Sequence, residues 1–226
     1  MDDSEITETL RVAEAAVKAG EPPGPTGFWR AVAAVKADPA RIATHADRIG
    51  VIDSTAFRNW ALVTVPLWIG NLVMIGGALL GLALIAWTYT LGGTAAAIVF
   101  LFGFGTILVT THSFGHLVVG SLLGIRFTRW FIGTIRRPQP GVKVDYASYL
   151  RAPAQSRAWM HASGAIVTKI VPFALIGAAL AADVPLWVVW ILVAAGIGQI
   201  ITDVLWSTHA SDWKKYRREK AFVQSS

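Results

Sequence analysis

Two histidines, His112 and His116, stand four residues apart inside a long apolar segment. In an α-helix this spacing places both imidazoles on one face, one turn apart, where they can bind a single metal ion together. Ionisable side chains are costly inside a membrane and usually serve a function there. The pair therefore predicts a metal site.

Other ionisable and nucleophilic residues are candidates for the same site. Ser113 and Lys169 would form a nucleophile and its base if they meet, and residue counting places them at similar depths. The alternative for Lys169 is a pair with Asp203 or with a backbone carbonyl. His161 begins the third apolar segment and His209 lies just past the fourth, and both are predicted to neighbour the metal ligands or to lie at the membrane interface rather than to bind the metal.

These residues lie in or beside four apolar segments, each longer than the roughly 20 residues needed to cross the hydrocarbon layer. The predicted transmembrane helices are residues 60–87, 93–124, 158–182 and 185–206. Charged residues make up 15% of the chain, against about 25% in soluble domains. The sequence therefore predicts an all-α integral membrane protein that crosses the cell membrane four times and has the lipid bilayer as its first partner.

The loops set the orientation of the helices. The connections after the first and third helices contain no Lys or Arg, whereas residues 125–157 and the C-terminal tail are rich in both. Positive charge marks the cytoplasmic side, so the loop and both termini are predicted to be cytoplasmic. The net charge of +6 lies beside apolar segments, which indicates contact with anionic headgroups rather than with nucleic acid.

Orientation suggests a third metal ligand. At about 1.5 Å per residue, His112 and His116 lie roughly 18 and 12 Å from the cytoplasmic end of their helix at Gly124. Asp203 lies roughly 14 Å before Asp212 on a helix that runs in the same direction. Two histidines and a carboxylate, with one open position, are a catalytic zinc ligand set. The alternative is that Asp203 is a buried acid satisfied by other helix residues.

Polar segments surround the predicted transmembrane domain, residues 60–213. Residues 1–59 are predicted to form a helical cap in the cytoplasm or at the membrane interface, and residues 214–226 a basic cytoplasmic tail. The cap should contain three helices, Glu5 to Lys18, Phe28 to Lys36 and Pro39 to Ile49, the last one stopped by Gly50. The absence of cysteine excludes disulfides, Cys-ligated zinc and thiol catalysis.

A family resemblance rests on the histidine segment. Residues 112–116 read HSFGH, and residues 124–133 read GIRFTRWFIG after an apolar stretch. This order is similar to the H-E-x-G-H and G-I-x-V-x-x-F-x-x-G motifs of the site-2 protease family of intramembrane zinc metalloproteases. Residues 162–164 (ASG) resemble the family's A-G-P segment, and residues 201–203 (ITD) resemble its L-D-G, whose aspartate is the third zinc ligand. The resemblance covers residues 93–206 and implies a three-helix core, zinc or another divalent metal as cofactor, and a transmembrane peptide or membrane protein as partner.

One departure from the family bears on the chemistry. Ser113 stands where the family has the glutamate that acts as general base, and a serine hydroxyl cannot accept that proton near neutral pH. Three hypotheses follow. The first is a divergent metallohydrolase whose base is His161, His209 or Lys169. The second is a pseudoprotease that binds membrane proteins or segments without cleaving them. The third is a metal-independent hydrolase that uses Ser113 and Lys169.

Overall fold

The computed structural model describes residues 1–134, 140–205 and 211–223. These residues form two compact units, each built from separate stretches of the chain. The first unit takes its described residues from Met1–Leu67, Gly120–Arg157 and Arg218–Ser226, and the second from Trp68–Val119 and Ala158–Arg217. The predicted neighbour of the metal site, His209, lies outside the described residues.

The N-terminal part of the first unit contains helices α1 (Asp3–Lys18), α2 (Phe28–Lys36) and α3 (Pro39–Trp60). Asp2 forms a capping box with Glu5 at the start of α1, and Asp38 caps α3 immediately before its proline. Apolar residues three or four positions apart on α1 are buried in a core shared with α2 and α3; they are Ile6, Leu10, Ala13 and Val17. The amphipathic pattern of the sequence thus accounts for the starts and the buried faces of these helices.

Helix α3 continues past Gly50 and ends at Trp60, so the predicted stop at this glycine is wrong. A Cβ atom at Gly50 would lie 3.0 Å from the Cβ of Ala147 and 3.2 Å from its backbone nitrogen. Ala147 belongs to a short helix, α6 (Tyr146–Arg151). Gly50 therefore permits α3 and α6 to pack closely. Its role is to make room for the neighbouring helix and not to end α3.

A three-stranded antiparallel sheet in the described part of the first unit departs from the all-α prediction. Its strands, in spatial order, are β1 (Val63–Pro66), β2 (Phe127–Ile132) and β3 (Pro140–Val144). The strand β1 opens an apolar run, so composition alone merged it with the helix that follows. In β2, an irregular register between Phe127 and Arg129 interrupts the alternation that would have indicated a strand.

Four helices in the described residues are long and apolar enough to cross a membrane, as predicted. The candidate spans are Leu67–Thr90, Gly93–Leu122, Ala154–Ala181 and Leu186–Asp203. They contain α4 (Leu67–Trp87), α5 (Gly93–Leu122), α7 (Ala154–Ala174) with α8 (Ile176–Ala181), and most of α9 (Leu186–Leu205). The first span begins at Leu67 rather than at residue 60 because β1 precedes it. A further helix, α10 (Asp212–Val223), occupies much of the predicted basic tail.

Glycines bring α4 and α5 together in the second unit. A Cβ atom at Gly81 would lie 2.6 Å from Cγ1 of Ile107 and 2.9 Å from the carbonyl oxygen of Gly103. Only residues without a side chain permit such an approach of two helix backbones. The contact continues along α5 to Thr110, whose Cγ2 would lie 2.6 Å from a Cβ atom at Gly77. The part of α5 that precedes the histidines is therefore firmly packed.

Candidate metal centre

His112 and His116 lie one turn apart on α5, with ring centroids 5.0 Å apart and ring planes at 83°. Asp212, the first residue of α10, meets both histidines. Its Oδ2 lies 3.3 Å from Nε2 of His112 and 3.1 Å from Nε2 of His116. One donor atom from each residue lies within 4.8 Å of the others, so the three residues form a group that could hold a metal ion.

A backbone carbonyl on α7 fixes the orientation of His116. Nδ1 of His116 lies 2.7 Å from the carbonyl oxygen of Met160, which can only accept a hydrogen bond, so Nδ1 carries the proton. In the neutral ring, Nε2 then directs its lone pair towards the carboxylate of Asp212, and a cation must lie between these two acceptors. A proton or a metal ion can fill that position. Histidines that bind metals commonly donate their second N–H to a carbonyl in this way.

Glycines on both helices allow α5 and α7 to approach each other at the site. A Cβ atom at Gly164 on α7 would lie 2.3 Å from Nε2 of His116, so any larger residue would displace the ring. A Cβ atom at Gly115 on α5 would lie 3.2 Å from Cγ2 of Val167. Both glycines belong to the motifs quoted above, and in the structure they make room for the histidine.

The carboxylate of Asp212 is largely buried and interacts with positive or proton-donating groups. Its Oδ1 accepts a hydrogen bond of 3.0 Å from Nζ of Lys215 on the same helix. Burial opposes ionisation of Asp212, but hydrogen bonds with His112 and His116 outweigh it and hold the pKa of the carboxyl well below its ordinary value. Asp212 is therefore an anion at neutral pH, as a metal ligand must be.

Two of the three separations between donor atoms are compatible with a shared divalent ion such as zinc. Bonds of about 2.0–2.1 Å from zinc to nitrogen and oxygen place neighbouring donors of a tetrahedron about 3.3–3.4 Å apart. The observed separations between Asp212 Oδ2 and the two Nε2 atoms, 3.3 and 3.1 Å, need little adjustment. Two imidazoles and one carboxylate also suit zinc or a similar divalent ion chemically.

Asp203, the predicted third ligand, is not brought to the histidines in this structure. It forms an ion pair with Lys169, whose Nζ also donates a hydrogen bond of 3.0 Å to the carbonyl oxygen of Ala165. Both alternatives considered for Lys169 are therefore present. Residue counting gives the depth of Asp203 but not the direction of its side chain, and the nearby ammonium group attracts the carboxylate.

The remaining candidates have the following positions. Ser113 is buried on α5, with 5% of its surface exposed. His161 is half-buried and directly follows Met160, whose carbonyl contacts His116. Nδ1 of His112 is buried and has no hydrogen-bond partner in the described part of the chain.

Sequence reasoning missed Asp212 as a site residue and used it only to mark the end of a helix. A usable signal was its position at the start of a second helical segment, next to Trp213, just beyond the last span. An acid there can reach side chains near the end of the last span. Residues 206–210, between the last span and α10, lie outside the described residues.

Comparisons with protein-family models, with curated protein sequences and with solved structures gave no match. The class of this protein is therefore described from its own fold and its own candidate site. Within the part of the chain that the structure describes, there are four helices able to span a membrane and a His-His-Asp group that could hold a metal ion.

Proposed function

We propose that this chain is a membrane-embedded metallohydrolase, divergent from the site-2 protease plan, that cleaves peptide bonds near the end of its transmembrane helices. The observation that carries the proposal is the group formed by His112, His116 and Asp212, with Met160 orienting one histidine. A zinc ion held by these two histidines and the carboxylate would supply Lewis acidity and would lower the pKa of water at the site to about 7.

The location of the group supports a membrane substrate. His116 lies six residues before the end of the span Gly93–Leu122, roughly 9 Å along the helix, and Asp212 follows the last span. A groove of about 680 Å³ runs along α5 and is lined mainly by apolar residues, including Gly105 and Val109. At helical spacing the same stripe continues to His112 and His116. An apolar peptide segment in this groove would lead towards the site.

The chain must supply a proton acceptor other than the buried Ser113. Among the three candidates from the sequence, Lys169 has its Nζ engaged by the carboxylate of Asp203 and the carbonyl oxygen of Ala165, so it is poorly placed to accept a proton from elsewhere. His161 stands next to Met160 on α7, and imidazole is the side chain that most often serves as a general base, whereas His209 lies outside the described residues. We therefore assign the role of general base to His161 within this proposal.

A second candidate function is binding without cleavage, which is supported by the presence of Ser113 in place of a general base. A metal site without a positioned base would still bind a peptide segment and would organise a membrane protein without cleaving it. The loss of a general base typically lowers a rate by about 10²–10⁴-fold. The ion pair between Lys169 and Asp203 argues against the metal-independent hydrolase, since a paired lysine is a poor base for Ser113.

The test begins with metal analysis of the purified protein in detergent. We expect about one zinc or similar ion per chain, lost in His116→Ala and retained in His45→Ala, a matched change in the N-terminal unit. Cleavage of a fluorogenic transmembrane peptide should be chelator-sensitive in the wild type and absent in His116→Ala. Metal without cleavage would favour the binding function, and no metal in the wild type would refute both.

A further inference from the structure

The first turns of α10 are held against α7 by aromatic and cationic side chains of the second unit. The ring of Tyr216 lies 5.8 Å from that of Trp159, and the rings of Trp213 and Tyr216 are stacked at 5.1 Å. Nζ of Lys169 lies 5.7 Å from the centroid of the Trp213 ring, within the range of a cation–π interaction. Lys169 and Trp159 are both on α7, so this helix contacts α10 at two points.

Lys169 links three helices at one ammonium group. It donates to the carbonyl oxygen of Ala165 on its own helix, pairs with Asp203 on α9 and approaches the ring of Trp213 on α10. An ammonium ion within a candidate membrane span is costly unless such partners satisfy it. The three partners therefore hold Nζ in one place, with only 20% of the side chain exposed.

The position of this ammonium group affects the metal ligand next to it. Trp213 directly follows Asp212, so a displacement of the indole moves the backbone that carries the carboxylate. Asp212 is the only ligand of the group that does not come from α5. Its distance from the two histidines is set by where α10 begins.

We infer that Lys169 is a positioning residue for the metal centre: by holding Trp213, it keeps the Asp212 carboxylate within reach of His112 and His116. The inference rests on the metal-binding part of the proposed function and requires no hydrolysis. It assigns a role to the ion pair of Lys169 and Asp203, which contributes no ligand itself. Residues that orient ligands typically change metal affinity by about 10–100-fold when they are removed.

The experiment measures Co²⁺ and Zn²⁺ affinity of the full chain in detergent by competition with a chromogenic chelator. Lys169→Met, which keeps most of the length and removes the charge, should weaken binding about 10–100-fold. Lys169→Arg retains the charge and can stack on Trp213, so it should restore most of the affinity. The visible spectrum of bound Co²⁺ should lose tetrahedral intensity in Lys169→Met and recover it in Lys169→Arg, which a general loss of stability would not produce.

A second variant keeps the inference testable if Lys169→Met does not fold. Trp213→Leu leaves the pair of Lys169 and Asp203 intact and should also weaken binding, whereas Trp190→Leu, an exposed tryptophan on α9, should not. Wild-type affinity in Lys169→Met or in Trp213→Leu would overturn the inference. A wild type that binds no metal would overturn the proposed function as well, so the two failures are distinguishable.

Discussion

Ser113 lies on α5 one residue after His112 and three before His116, at the position of the glutamate in the family motif that this segment resembles. A carboxylate at this position could act as a second general base beside the histidine pair, where the site-2 protease family has its glutamate. The buried location makes a charge costly, but the charge of a bound metal would offset part of that cost.

We expect Ser113→Glu to retain metal and to increase cleavage of a transmembrane peptide, by up to about 10²–10⁴-fold. The measurement is the initial rate at saturating zinc with the fluorogenic peptide. Ser113→Gln is the control, because it has nearly the same size and cannot accept the proton. Equal rates in the two variants would show that a base at this position does not limit the reaction.

Gly164 provides a second prediction at the scale of single residues. Its replacement by alanine would place a Cβ atom 2.3 Å from Nε2 of His116. The ring must then rotate away, so Gly164→Ala should lose at least an order of magnitude in zinc affinity, about 1.4 kcal/mol. Gly177→Ala is the matched control, since a Cβ atom there would meet nothing within 4 Å. Equal affinities would mean that α7 yields instead of the histidine.

The third ligand shows where residue-by-residue prediction ends. The spacing of His112 and His116 is a local property of one helix, so the sequence predicts their shared face directly. The acid that joins them arrives from another helix, and two aspartates, Asp203 and Asp212, end up near this end of the second unit. Asp203 pairs with Lys169, and this leaves Asp212 to meet the histidines. The spacing of residues along one helix does not predict such a pairing between helices.

Among the elements, the apolar helices can be predicted from the length and composition of their segments, whereas the sheet cannot be predicted in this way. A continuous apolar run longer than about 20 residues indicates a membrane span whatever surrounds it. The strands β1, β2 and β3 are short, and their identity depends on pairing between residues far apart in the chain. The close crossing at Gly81 and Gly103 similarly requires knowledge of which helices are neighbours.

The part of α10 that belongs to the first unit contains a buried acid, Glu219. Its carboxylate is fully buried and pairs with Lys36 of α2 and Arg157 of α7. Burial opposes ionisation of Glu219, but the two cations outweigh it and lower the pKa of the carboxyl to about 2. Burial also lowers the pKa of Lys36, to about 8, so the cluster stays charged at neutral pH.

The pKa of Glu219 predicts how this unit responds to acid. Because the folded-state pKa lies below the ordinary value of 4.5, the ion pairs contribute stability above that pH and lose it as the pH falls towards 2. Glu219→Gln should destabilise the unit by about 3–5 kcal/mol at pH 7, since it leaves buried cations without their anion. Thermal unfolding of both proteins should give a difference that shrinks between pH 4.5 and 2.

Glu8→Gln is the control for this measurement, because Glu8 pairs with Arg11 on the exposed surface of α1. Its effect should remain within about 0.5 kcal/mol at any pH. A Glu219→Gln difference that stayed constant down to pH 2 would contradict the assignment of the acid response to this carboxylate.

At the scale of the whole molecule, charge is distributed unevenly among the segments that join the candidate spans. The connection 91–92 contains no basic residue, whereas residues 125–157 and α10 contain many. Positive charge is retained on the cytoplasmic side during insertion, so the uneven distribution predicts a direction for the chain in the membrane. We expect this direction to place the candidate metal group near the cytoplasmic face.

This orientation is tested by single cysteines, since the natural chain contains none. Ser4, Thr128 and Thr94 are exposed positions in α1, in β2 and at the start of α5. An impermeant maleimide added to intact cells should label Thr94→Cys and should leave Ser4→Cys and Thr128→Cys unlabelled until the cells are opened. The basic loop then faces the cytoplasm because Lys and Arg near the ends of spans resist translocation. Labelling of Thr128→Cys in intact cells, with Thr94→Cys protected, would invert the topology and would place the metal group at the outer face.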